Sequence, residues 1–209
     1  MPNQTSVFHQ ETWSAALTLI LASLIIMGSP GPSTISATAV GATYGFRRSL
    51  AYVCGLILGT TMVLFAVALG VVTILFSIPH SASALVAIST IYIGYLAFRI
   101  ATAPPLANRS DQVAAPAFAG GVLLAIANPK AYLAIASVFT ATNIFREDHA
   151  LDAAVKTALL GVMIVVIHLC WLLAGASLSR LLRDPTVSRV VNIGLAAALI
   201  AATALALLR

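Results

Sequence analysis

Lys130 lies inside an apolar run, with Val122 to Ala127 on one side and Ala131 to Val138 on the other. A cation near the centre of a bilayer costs at least about 2.5–3.5 kcal/mol, so such residues mark functional sites. Asn128 and Pro129 come directly before it, and proline interrupts a helix by removing a backbone donor and clashing with the preceding turn. A second interruption, Gly28-Ser29-Pro30-Gly31-Pro32-Ser33, divides an earlier apolar run. Broken helices expose N–H groups at a half-helix N-terminus, which favour a carboxylate, and carbonyls at a C-terminus, which favour an ammonium group. The candidate substrate-binding residues are therefore Ser29, Pro30, Gly31, Pro32, Ser33, Asn128, Pro129 and Lys130. In this reading Lys130 pairs with a substrate carboxylate, and Ser29, Ser33 and Asn128 add hydrogen bonds.

His168, in a later apolar run, is the candidate for proton coupling, because imidazole changes charge near neutral pH. A histidine there also reads as a packing group bonded to a neighbour. The carboxylates Glu11, Asp111, Glu147, Asp148, Asp152 and Asp184 all fall outside the middle of the apolar runs, so no acidic proton relay is visible. With His168 lacking a nucleophile partner at a recognisable spacing, the chain does not read as an enzyme. No cofactor, catalytic residue or metal site is expected.

These residues need elements to position them. The chain has 209 residues, 60% hydrophobic and 8% charged, with a mean hydropathy of +1.02. A soluble domain carries about 25% charged residues, so a cytosolic enzyme or secreted domain is excluded. Disorder, which needs low hydrophobicity, is excluded too. The apolar runs are continuous rather than alternating, which predicts an all-α integral membrane protein and not a barrel. Six segments approach bilayer-spanning length: 14–41, 49–76, 84–103, 117–141, 153–177 and 188–208. Residues 1–209 form one transmembrane domain in this reading.

The net charge of +5 does not point to nucleic acid, since the basic residues lack interleaved aromatics. They sit between the apolar segments as topological signals. Arg47, Arg48, Arg99, Arg109, Arg180, Arg183 and Arg189 fall on one side, against Arg146, Lys156 and Arg209 on the other. The positive-inside rule places the first group in the cytoplasm and both termini outside. The start lacks a basic n-region, so the first apolar run reads as a retained helix. Trp13 and Trp171 read as interfacial or packing aromatics.

The two interruptions correspond. Leu24 to Pro30 reads LIIMGSP and Leu123 to Pro129 reads LLAIANP: an apolar half-helix, a small residue, a side-chain hydrogen-bonder and proline. Three helices are thus repeated once, over about 14–103 and 117–208. An odd repeat must lie inverted in the membrane, and paired interruptions in inverted halves point to a transporter's central site.

The Pro30-Gly31-Pro32 turn resembles the signature of the lysine-exporter (LysE/RhtB) family of amino-acid efflux proteins. The stretch Gly41 to Arg48 (GATYGFRR), Gly55 and Gly59, Ile91 to Tyr95 (IYIGY) and Asn128-Pro129-Lys130-Ala131 agree with it. Many members carry asparagine where this chain has Ser33. The resemblance implies export of an amino acid or derivative from the bacterial cytoplasm across the inner membrane, driven by protons. A neutral zwitterion fits the residues above. Gly55 and Gly59 allow close helix approach, within the chain or at a homodimer face. The competing class is a membrane thiol–disulfide electron carrier, using Cys54 and Cys170 as a reversible pair.

Overall fold

The structure is a computed structural model that describes residues 4–104, 114–178 and 184–207. Among these residues it contains nine helices and no strand. They are α1 (Gln4–Ile26), α2 (Pro32–Tyr44), α3 (Phe46–Ala68), α4 (Val71–Ser77), α5 (Ser81–Ala101), α6 (Phe118–Ala127), α7 (Pro129–Ala141), α8 (His149–Leu178) and α9 (Pro185–Leu207).

Four helices are long and apolar enough to cross a bilayer unaided: α3, α5, α8 and α9. The pair α6 and α7 reaches that length only together, bent by 63° at Asn128. The first apolar segment is also divided, into α1 and α2. Both second half-helices begin with proline at the first helical position, Pro32 after Gly31 and Pro129 after Asn128. There the missing N–H removes no helical bond and the fixed φ is already helical.

Boundaries differ from expectation at several places: α1 begins at Gln4 rather than 14, and two other differences have a visible cause. The run 49–76 is not one span, because Gly70 adopts a left-handed φ of 72° and separates α3 from α4. Glycine enters that region without the Cβ clash that disfavours other residues. Helix α8 begins at His149 rather than 153, where Asp148 Oδ1 accepts the Leu151 N–H at 2.9 Å and caps the first turn.

The close helix contacts depend on missing side chains. A Cβ on Gly121 or Gly55 would overlap the backbone of the facing helix at Tyr52 or Phe118, so α3 and α6 meet backbone to backbone. A Cβ on Gly175 would likewise overlap Thr38, which brings α8 onto α2. Gly59 also faces α6, at Val122 and Ala125. The Gly55–Gly59 pair therefore serves packing within the chain.

One core cluster joins α2, α3, α5 and α9 through residues such as Tyr52, Leu56, Leu96 and Leu199. The other joins α1, α3, α7 and α8 through Leu19, Leu64, Ile135 and Ile164. Large apolar side chains also cover the outside, including Ile25, Phe65, Ile91, Phe98 and Val162. That much exposed apolar surface suits acyl chains and not water.

Lys156 is not a topological charge at a surface. It is 5% exposed and pairs with Asp152 at 2.7 Å. Asp152 Oδ1 accepts the N–H groups of Ile144 (2.6 Å) and Phe145 (3.1 Å). Lys156 Nζ donates to the Thr142 carbonyl at 3.0 Å and lies 4.5 Å from the Phe139 ring centroid. This buried cluster fastens the end of α7 and its following loop to α8.

Candidate functional site

The two broken turns meet. Lys130, at the start of α7, reaches across to the break between α1 and α2. Its Nζ donates to the Ser29 carbonyl (2.7 Å), the Ser29 hydroxyl (2.8 Å) and the Pro30 carbonyl (2.9 Å). An ammonium group has three N–H donors, so all three are occupied. Lys130 therefore does not wait as a free cation. A carboxylate can bind it only by displacing one of these partners.

Gly31 is needed because Lys130 lies across it. A Cβ there would sit 2.7 Å from Lys130 Cδ and 2.8 Å from Nζ. The backbone at Gly31 is extended, so space and not backbone strain selects glycine. A second bond joins the breaks: Asn128 Nδ2 donates to Ser33 Oγ at 2.9 Å. Asn128 Oδ1 also accepts the Lys130 N–H at 3.2 Å, capping α7. Thr34 Oγ1 accepts the Gly31 N–H at 2.9 Å and holds the first turn of α2. Trp171 Nε1 donates to the Gly28 carbonyl at 3.1 Å, which gives this packing aromatic a hold on the break.

A cavity of about 40 Å³ lies beside these contacts. A water needs roughly 10–15 Å³ of such volume, so the space takes a few waters. Of the residues singled out in the sequence, Gly31, Ser33, Asn128, Lys130 and His168 line it. Ser29, Pro30, Pro32 and Pro129 do not, and act through the turns they shape and the oxygens they offer Lys130. Met27, Thr34, Thr60 and Ile164 complete much of the wall.

His168 is 4% exposed, and its Nδ1 lies 2.8 Å from the Ile164 carbonyl. A carbonyl only accepts, which assigns the proton of the neutral ring to Nδ1 and leaves a lone pair on Nε2. Nε2 has no partner among the described residues. Thr60, 6% exposed on α3, also has an unpartnered buried hydroxyl. Sequence reasoning missed Thr60 and Thr34. Thr34 carried a signal, a hydroxyl three residues after the N-cap, as in half of a capping box.

Cys54 and Cys170, the pair of the competing thiol–disulfide reading, are both free and exposed. They project from helix surfaces because the apolar faces carrying them form the outside of the bundle. Neither lines the cavity. Among the described residues no cluster of His, Cys, Asp or Glu could hold a metal.

The model of the LysE type translocator family matches residues 23–209. The chain belongs to this family. Its relatives include the cysteine/O-acetylserine efflux proteins of Escherichia coli K12 and of Escherichia coli O139:H28, each 32% identical over 181 residues. Each alignment covers 85% of this chain and 89% of the relative. A Shigella flexneri protein of the same name matches equally. No solved structure matches the chain. Membership makes the chain a translocator.

Proposed function

We propose that this LysE-type translocator exports a small neutral amino acid or amino-acid derivative by proton-coupled alternating access around the broken turns. One observation carries the reading: two breaks about a hundred residues apart are bonded directly to each other beside a cavity. Discontinuous helices that meet at the membrane midplane are the usual construction of a transporter's substrate site.

The Ser29 and Pro30 carbonyls now hold the Lys130 ammonium. A substrate ammonium takes these oxygens, and the released Lys130 turns to the substrate carboxylate at the N-termini of α2 and α7. Both ends of a zwitterion are then paired. His168, protonated at Nδ1, takes the coupling proton at Nε2 only after the substrate has left the cavity. The relatives' names, together with an uncharged wall apart from Lys130 and His168, support a short polar side chain.

The topology follows the repeat. With α1–α2 and α6–α7 each counted as one broken span beside α3, α5, α8 and α9, six crossings form two inverted halves in the bacterial inner membrane. Both termini lie outside on the positive-inside argument. The membrane lipids cover the apolar exterior. The chain works alone or as a homodimer in this scheme.

Counterflow in proteoliposomes tests the proposal. Purified protein loaded with unlabelled cysteine or serine is expected to accumulate the labelled compound, faster with an imposed pH gradient. Failure with the whole panel of neutral amino acids would remove the amino-acid reading. Gradient-independent exchange and net transport would remove proton coupling.

A further inference from the structure

We infer that Thr60 and His168 form the side-chain subsite of the transport cavity, selecting a short side chain that carries one hydroxyl or thiol. The inference rests on the transport reading above and names which atoms read the substrate beyond its ammonium and carboxylate.

Buried polar groups are nearly always hydrogen-bonded, so an orphan calls for an explanation. Two orphans here belong to residues that line one cavity from packed helices: Thr60 Oγ1 on α3 and His168 Nε2 on α8. Their neighbours show that neither is forced. Thr61 Oγ1, one residue on, donates to the Ile57 carbonyl at 2.8 Å, the ordinary resolution for a threonine in a helix. Thr60 makes no such bond.

The two atoms are complementary. The Nδ1–H bond to Ile164 leaves Nε2 as an acceptor, and the Thr60 hydroxyl both donates and accepts. One O–H or S–H placed between them gives its hydrogen to Nε2 and takes one from Thr60. An alkyl side chain leaves both atoms buried without partners, and such sites discriminate against the analogue lacking the polar group. Carboxylate side chains are disfavoured too, because they have no hydrogen for Nε2. The remaining wall at Met27, Ala131, Ala134 and Ile135 is apolar and limits the polar contact to these two atoms.

Competition for labelled-substrate counterflow tests this with 2-aminobutyrate, which places a methyl where serine and cysteine carry O–H and S–H. Serine and cysteine are expected to compete about tenfold better than 2-aminobutyrate in the wild-type protein, the value of one or two neutral hydrogen bonds. Thr60→Val, close in shape, and Thr60→Ala are expected to lose most of that ratio, whereas Thr60→Ser keeps it. Equal competition in the wild-type protein would overturn the inference, as would an unchanged ratio in both hydroxyl-deleting variants. A wild-type protein that moves no amino acid at all would instead sink the transport reading.

Discussion

Replacing Lys130 by methionine is expected to lower transport about 100-fold or more. Methionine approximates the length and apolar stem of lysine, but brings no donor to the Ser29 and Pro30 carbonyls that Nζ now contacts at 2.7 and 2.9 Å. These oxygens are half-buried at Ser29 and exposed at Pro30, and a hydrogen bond to a charged group contributes about 1.5–3 kcal/mol, so losing two such bonds amounts to roughly two decades in an equilibrium constant. The variant also lacks the cation that answers a substrate carboxylate. Arginine is not expected to rescue it. The lysine stem already lies close over Gly31, and a planar guanidinium fork does not fit the geometry of three converging ammonium bonds. Initial rates of counterflow, set beside the melting temperature of each purified variant, separate lost transport from lost folding. Wild-type rates in a well-folded Lys130→Met protein would show that this lysine only closes the turn.

Asp152→Asn is expected to destabilise the protein strongly, by about 3–5 kcal/mol, which is the cost of removing one partner of a buried ion pair. Asparagine can still accept from Ile144 and Phe145 through its Oδ1, so the backbone bonds survive in large part. What is lost is the charge facing Lys156, which stays buried with only the Thr142 carbonyl and the Phe139 ring for company. For a chain of this size the loss corresponds to a melting temperature lower by about 10 °C or more. The double variant Asp152→Asn with Lys156→Met, which removes both charges, is expected to recover much of it. Thermal melting in detergent decides the matter. A single variant as stable as the wild type would show that the pair contributes little.

The breaks were readable from the chain because proline and glycine act locally: each removes a bond or adds freedom at its own position, whatever surrounds it. Their meeting was only indirectly readable, through the matched LIIMGSP and LLAIANP patterns. Lys130 was visible as a stranded cation, yet two of its three present partners are backbone oxygens of the other break, which no residue type announces. Thr60 could not be found in advance, since Thr60 and Thr61 look alike in sequence and only tertiary packing leaves one of them unbonded. Asp152 and Lys156 showed the right i, i+4 spacing, but spacing does not report burial, and Lys156 passed for a surface charge. Gly70 was hidden in the same way. It sits in an apolar run, and the left-handed turn it makes is a matter of φ.

The central claim is that substrate occupies the cavity between the two breaks. It is tested most directly by substrate protection of a thiol placed there. Ser33 is 7% exposed and lines the cavity, and cysteine replaces its hydroxyl with little change of shape. Cys54→Ala and Cys170→Ala come first, because both native thiols are exposed and would react. Alkylation of Ser33→Cys in that background by a small membrane-permeant maleimide is expected to slow at least severalfold when saturating serine, a substrate without a thiol of its own, is present. An alkylation rate that substrate leaves unchanged, in a protein that still transports it, would place the transport site elsewhere.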